Sequence, residues 1–327
     1  MVAAACGAHL AADAAMQSDR SASKPDAGKL TVAVTGATGM IGSALVARLR
    51  AQGHVVRRLV RASRSAEQDD IVWDPSHGVL DAQKLEGTDA VVHLAGEPIA
   101  RRWTPEHKRS IRDSRVKGTE LLARGIASLT VKPRVMLSGS AIGFYGDRGD
   151  APTDETTPHG SGFLSQVVQE WEAATAPASD AGIRVVLLRS GVVLSARGGA
   201  LEKLLPPFRL GVGGPIGSGR QWMSWISLED ELRAIEFALF DDDLHGPVNL
   251  TAPTPVRNAE FASTLGRVLA RPAVVPVPAF ALELMYGEMA RETILAGQQV
   301  APGALMSAGF EFRHPTLEQG LRGELGR

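Results

Sequence analysis

The chain has 327 residues, a net charge of −1 and 44% hydrophobic residues, enough for a sizeable core in one large domain or a domain with a smaller appendage. No basic block points to nucleic acid and no run of 18 apolar residues points to a membrane. The single cysteine, Cys6, excludes an intrachain disulfide framework or a cysteine zinc cage. These totals lead us to expect a cytoplasmic protein that works on a small molecule.

Residues 1–28 are rich in Ala and Ser, and His9 and Asp13 interrupt any apolar core of a signal peptide. They are expected to form a disordered extension. Leu30–Thr35 (LTVAVT) reads as a buried parallel strand, followed by the glycine turn Gly36-Ala-Thr-Gly39-Met-Ile-Gly42 and a helix from Ser43 to Gln52 stopped by Gly53. Further strands are expected at His54–Val60, Ile71–Trp73, Ala90–Leu94, Arg134–Ser138 and Arg184–Leu188, with helices at Pro105–Ile126 and Ser165–Ala176. Strands alternating with helices of this length predict an α/β fold of the Rossmann type, a doubly wound parallel sheet with a smaller C-terminal cap region. Gly198–Gly219 carries seven glycines and three prolines and reads as loop. Ser227–Leu239 reads as helix, Val248–Leu250 as a last strand, and Ala279–Ala296 and Thr316–Leu325 as helices. The expected division is a dinucleotide-binding domain over 29–250, with a cap loop at about 196–226, and a cap or substrate region over 251–327.

The glycine turn carries the most specific chemistry, because it lies between a strand and a helix at the start of the fold. Gly36 permits the tight turn, Gly39 lets the backbone approach a pyrophosphate, and Gly42 lets the helix pack on the strand. Thr38, Met40 and Ile41 share that turn, and the helix N-terminus would face the phosphates. The second strand ends Leu59-Val60-Arg61-Ala62-Ser63-Arg64, with no acid before Glu67. A carboxylate there would hold a ribose 2′-hydroxyl; Arg61 suits a 2′-phosphate instead, so NADP (NADPH) is the expected cofactor. The fourth strand runs into Leu94-Ala95-Gly96-Glu97, small residues that leave room for the cofactor, with Glu97 at the cleft as a ribose ligand, a base or a plain loop acid. The histidines, His54, His77, His93, His107, His159, His245 and His314 among them, show no ligand spacing, so no metal is expected.

Several stretches together carry a family resemblance: VTGATGMIGSALVARL (34–49), VVHLAGEPIA (91–100), LSGSAIGFYGD (137–147), RSGVVLS (189–195), LPPFRLGVGGPIGSGRQWMSWISLED (205–230) and the tail from about Val277. The chain resembles the atypical extended short-chain dehydrogenase/reductases, in particular the NAD(P)-dependent epimerase-family proteins with a C-terminal domain of unknown function. The resemblance covers nearly everything after residue 29. It implies an NADP-binding Rossmann domain with an oxidoreductase or epimerase role, and cofactor contacts at Val60, Arg61, Leu94, Ala95, Arg115 and Val193. Relatives of this kind commonly form homodimers, so a homodimer is one expected assembly.

Typical members move a proton with a Tyr-x-x-x-Lys pair. Here Tyr145 is followed at that spacing by Gly149 and Tyr286 by Ala290, and none of the seven lysines lies between Lys132 and Lys203. The register falls best on Phe163-Leu-Ser-Gln-Val167, and both Phe163 and Val167 are expected to border the cavity. Candidate replacements are Tyr145 as proton donor, Ser140 polarising a carbonyl, and Glu97 as base; Ser138 and Ser140 match the Ser-rich strand end. Gln221, Trp222 and Trp225 lie in a loop expected to close over a ligand or to pack the cap. The leading reading is an NADP(H)-dependent oxidoreductase acting on a small carbonyl or sugar-like substrate. The alternatives are a non-catalytic NADP(H)-binding redox sensor and an epimerase of the nucleotide-sugar type.

Overall fold

The computed structural model describes residues 28–61 and 70–327. Most of the N-terminal extension, together with Ala62–Arg64 and Glu67, lies outside the described residues. Eight strands form the main sheet: β1 (Thr31–Thr35), β2 (Val55–Val60), β3 (Ile71–Asp74), β4 (Val79–Leu80), β5 (Ala90–His93), β6 (Val135–Ala141), β7 (Arg184–Ser190) and β8 (Gly246–Leu250). Their order is β8-β7-β6-β5-β1-β2-β3-β4. Every pair is parallel except β3–β4. The winding reverses between β1 and β5, and it is outside the carboxyl ends of the strands at such a point that α/β sheets bind ligands.

Alternating side chains sort the core onto the two faces of the sheet. On one face Val32, Val34, Val92, Leu137 and Leu188 pack under α1 (Met40–Ala51) and α5 (Leu228–Phe240). On the other, Ala33, Val91 and Met136 pack under α2 (Pro105–Ala127), next to which runs α3 (Phe163–Ala173). The near-continuous apolar character of the central strands follows from this double cover.

The stretch read as loop holds a helix, α4 (Gly199–Arg209), with Pro206 and Pro207 inside it. Leu201, Leu205 and Phe208 recur at i, i+4 and i+7 and are buried, and that stripe outweighs the two prolines, which lie in the last turns. A further helix that the sequence reading left unassigned, α6 (Asn258–Leu269), buries Phe261, Leu265 and Val268 by the same spacing. Trp225 sits at the centre of this second core, with Leu317 and Leu321 of α8 (Leu317–Leu325). The expected helix over Ala279–Ala296 breaks in two. α7 (Ala279–Tyr286) stops at Gly287, whose φ is 61°, and a π-helical turn follows at Ala290–Ile294.

Segment 251–327 is threaded through the rest of the protein. Leu305 and Phe310 belong to the core under α5, Gln299–Val300 pairs with Pro152–Thr153, and the 277–295 stretch lies against the start of α3 and the loop after β5.

Candidate functional site

The glycine turn forms as its spacing requires. Gly36 has φ 65° and presses on β5: a Cβ there would stand 2.7 Å from the Leu94 carbonyl carbon. A Cβ on Gly42 would come within 2.2 Å of the Gly36 carbonyl oxygen, so this glycine sets the close approach of α1 to β1. Gly39 is the N-cap of α1. No side chain caps that end and no acid lies in its first turn. Its amide donors and positive dipole end therefore suit an anion, and a cradle that a Cβ would fill fits a dinucleotide pyrophosphate. Thr38 and Gly39 are exposed beside half-buried Met40 and Ile41.

Thr35 and His93 brace this turn. The Thr35 hydroxyl accepts from the Leu94 and Ala95 amides at 3.0 and 3.2 Å. Its own proton is then left for His93 Nδ1, 2.7 Å away. His93 must carry hydrogen on Nε2, which donates to Thr119 Oγ1 at 3.0 Å. Burial pushes the imidazole down to about 4, so it stays neutral and structural. Leu94 and Ala95, two of the expected cofactor contacts, are fixed through their amides by this arrangement.

Arg115 lies under the same loop. Its guanidinium carbon would stand 3.2 Å from a Cβ on Gly96, Nη1 donates to the Glu97 and Ile111 carbonyls, and Cζ is 5.1 Å from the Trp171 ring centroid. No carboxylate among the described residues pairs with it. Burial lowers its pKa to about 10, which leaves it cationic at neutrality. Arg61 follows β2 and is exposed beside buried Val60. Asp70, an acid at the start of β3, is held by Arg58 at 2.6 and 2.9 Å, so its charge at this edge is already matched.

On the other side of the edge the structure corrects the sequence reading. Tyr145 is fully buried. Its hydroxyl donates to Asn249 Oδ1 at 2.8 Å and accepts from Arg189 Nη1 at 3.0 Å, and burial raises its pKa. It is a wall residue and offers no proton to a cleft. Ser140, 6% exposed, donates to Glu172 Oε1 at 2.6 Å. Glu172 in turn receives Arg189 Nε and Nη2, both at 2.8 Å, and the Arg189 guanidinium lies 3.6 Å from the Phe144 ring centroid. Glu97 is paired with Arg101 at 2.9 Å.

Phe163 opens α3. Its ring meets Trp103 edge-on at 5.1 Å and lies 4.3 Å below the Lys108 ammonium, which pairs with Glu288 at 2.8 Å. Glu292 accepts the Phe163 and Leu164 amides at 3.0 and 2.9 Å, so the C-terminal segment caps α3 directly. Val167 does not border a cavity: it is 2% exposed and packs with Ile111, Trp103 and Met289. Trp225 is also unavailable to a ligand, being fully buried with Nε1 donating to the Thr254 carbonyl. Trp222 donates to Asp150 and stacks under Arg257, and Gln221 bonds the Ile216 and Ile294 carbonyls. The loop is therefore stitched to its neighbours. Val193 lies in a short parallel ladder, Val192–Ser195 with Trp225–Ser227, just beyond the end of β7.

The sequence reading missed Glu231. It is completely buried on α5, accepts from the Ser190 hydroxyl at 2.6 Å, and has no partner for Oε2. A first-turn Glu in the run Leu228-Glu-Asp-Glu-Leu-Arg reads as solvated; only its spacing against the buried Leu232, Ala234, Ile235 and Ala238 marks it as inward. A groove of about 640 Å³, lined by Arg48, His54, Arg233, Phe237 and Phe310, lies towards the C-terminal end of α1, away from the glycine turn. No group of metal-ligating side chains occurs among the described residues, and no described helix is long and apolar enough to cross a membrane.

A parallel sheet reversing at β1/β5, with a glycine cradle at that point, defines an NAD(P)-binding Rossmann protein. The chain belongs to the NAD dependent epimerase/dehydratase family, whose model matches residues 32–250; a domain of unknown function, DUF1731, matches 277–323. It is 47% identical over 291 residues to an epimerase family protein of Mycobacterium bovis, Mb2239, covering 89% of this chain and 96% of that one. It is 38% identical over 297 residues to the human epimerase family protein SDR39U1, covering 90% and 99%. A crystal structure of that human protein (isoform 2) with NADPH superposes with a TM-score of 0.83 at 36% identity, covering 91% of this chain and 100% of that one.

Proposed function

We propose that this protein is an NADP(H)-dependent oxidoreductase acting on a small carbonyl compound. The observation that carries the reading is the cationic, unmatched edge over β1, β2 and β5. It combines the uncapped N-terminus of α1, Arg115 without an acid partner, and Arg61 where a carboxylate would favour NAD. The human relative crystallised with NADPH supports the same cofactor. Gly36, Gly39 and Gly42 would admit the pyrophosphate, Leu94, Ala95 and Gly96 the adjoining ribose, and Arg61 the 2′-phosphate. Hydride transfer is the chemistry the nicotinamide would supply; the chain's part is to orient it and exclude water. Half-buried Phe163 and Ile294, packed on the buried Trp103 and Met289, form an apolar face beside the start of α3, better matched to an apolar carbonyl than to a charged nucleotide sugar.

A second reading, a non-catalytic NADP(H)-binding redox sensor, draws on the sealed hydroxyls of Tyr145 and Ser140. Following NADPH absorbance across a panel of aldehydes and ketones separates the two. Turnover supports the oxidoreductase, whereas tight binding with no turnover across the panel supports the sensor.

A further inference from the structure

Ser190 is the last residue of β7 and follows Arg189. Successive strand residues face opposite sides of the sheet. Arg189 turns to α3 and Glu172, while Ser190 turns to α5 and Glu231. Ser190 pairs in register with Ala141 of β6 and Leu250 of β8. It therefore stands on the carboxyl edge, on the side of the switch point away from β2. The cofactor placement proposed above puts the adenosine 2′-phosphate towards β2; a dinucleotide running from there across the pyrophosphate at the switch point would carry its nicotinamide over β6 and β7. Ser190 is half-buried, whereas Glu231 behind it has no exposure. One carboxylate oxygen takes the serine proton at 2.6 Å, and the other is buried with no partner.

We propose that Ser190 and Glu231 form the proton-donating pair of this site, Ser190 meeting the substrate oxygen and Glu231 acting behind it as the proton store. The inference rests on the oxidoreductase reading. It answers the gap left by the missing Tyr-x-x-x-Lys pair and the sealed hydroxyls of Tyr145 and Ser140. The reduced nicotinamide, when bound, would supply the hydride to the carbonyl carbon as the reductant, and the carbonyl oxygen would then need a proton. That oxygen takes the proton of Ser190 Oγ. Ser190 Oγ takes the carboxyl proton from Glu231 Oε1, 2.6 Å away. Glu231 is left as a carboxylate that accepts the Ser190 hydroxyl, and once the product has left it regains a proton from solvent through half-buried Ser190. Ser190 is the catalytic residue here, and Glu231 is a positioning residue that acts through it.

Burial pushes the Glu231 carboxyl up to about 7, against the hydrogen bond from Ser190, so a stored proton is available near neutrality. The charges around it are occupied elsewhere. On α5, Glu229 and Glu236 pair with Arg48 of α1, and Asp230 accepts the Arg313 and His314 amides. On β7, Arg189 faces the opposite side, and Arg184 at the far end bonds the Ala238 and Leu244 carbonyls. The facing segments Val192–Ser195 and Trp225–Ser227 carry no charge, and β6 (VMLSGSA) carries none either.

The test is infrared titration of the protein with 13C-labelled glutamate, with and without NADP+, in wild type, Glu231→Gln and Ser190→Ala. A protonated-carboxyl band that titrates near neutrality and is absent from Glu231→Gln is expected. NADP+ should shift that band in wild type and leave it unmoved in Ser190→Ala. With a substrate in hand, Glu231→Gln should slow reduction by on the order of a hundredfold and flatten the fall in rate above pH of about 7. A band that ignores NADP+, while calorimetry shows the nucleotide bound, overturns the pair. Failure of wild type to bind NADP+ overturns the cofactor reading, and this inference with it.

Discussion

Over β1, β2 and β5 the carboxyl edge of the sheet is shaped by backbone and glycine, and its positive groups have no carboxylate partner among the described residues: the N-terminal end of α1, the Arg115 guanidinium held by carbonyls, and Arg61. Over β6, β7 and β8 the edge is shaped by side chains, and most of its polar groups are closed on one another. Ser140, Glu172, Arg189, Tyr145 and Asn249 form one buried chain. Asn249 carries it into the C-terminal segment through the Ala301 carbonyl. The first half is built to receive an anion. The second holds the fold together and keeps one buried carboxylate oxygen, on Glu231, without a partner. The contrast shows how the hydroxyls of Tyr145 and Ser140 are closed to a ligand: Asn249, Arg189 and Glu172 hold them.

Three substitutions probe that contrast. The largest effect is expected from Glu172→Ala. It strands the Arg189 guanidinium, 4% exposed, and breaking one side of a buried pair costs about 3–5 kcal/mol. Denaturant unfolding should show that loss while any NADPH affinity of the folded fraction is retained. A stable Glu172→Ala protein with weakened nucleotide binding would reverse the assignment of the two halves.

Glu231→Gln should act through pH. The folded carboxyl titrates near 7 against an ordinary value of 4.5, so the folded state binds this proton more tightly than the unfolded one. Wild-type stability is therefore expected to fall as pH rises from about 4.5 through about 7 and then to level off. The penalty is on the order of 3 kcal/mol at about 1.4 kcal/mol per unit. The glutamine variant lacks it, so parallel stability curves for the two proteins from pH 4 to 8 would contradict the buried-acid account. Tyr145→Phe is expected to be milder, about 1–3 kcal/mol, because it leaves Arg189 and Asn249 each short of a bond. It should change melting temperature and leave turnover of any substrate unchanged; a loss of turnover without a loss of stability would restore Tyr145 as a proton donor.

The nucleotide half was legible in the sequence because its function rests on backbone geometry. Gly36, Gly39 and Gly42 follow one another between a β-branched strand run and an apolar-periodic helix, the context in which that spacing reads as a strand–turn–helix. The pattern VTGATGMIG states that geometry outright. The second half was poorly legible because its chemistry depends on contacts far apart in the chain: Tyr145 with Asn249, Ser140 with Glu172, Ser190 with Glu231. A tyrosine near a cleft reads the same whether its hydroxyl is free or held by Arg189. Glycine and proline content hid α4, although Leu201, Leu205 and Phe208 kept helical spacing. The even spread of apolar residues hid how segment 251–327 is divided: Leu305 and Phe310 lie under α5, and Leu317 and Leu321 around Trp225.

The central claim is that the open half receives NADP(H) and reads its 2′-phosphate through Arg61. Calorimetric titration of NADPH and NADH into wild type and Arg61→Ala tests it most directly. A charge-assisted bond of about 1.5–3 kcal/mol predicts NADPH binding tighter than NADH by on the order of ten- to a hundredfold, with the preference lost in Arg61→Ala and NADH affinity unchanged. Equal affinity of the wild type for the two nucleotides, or no binding of either, would contradict it.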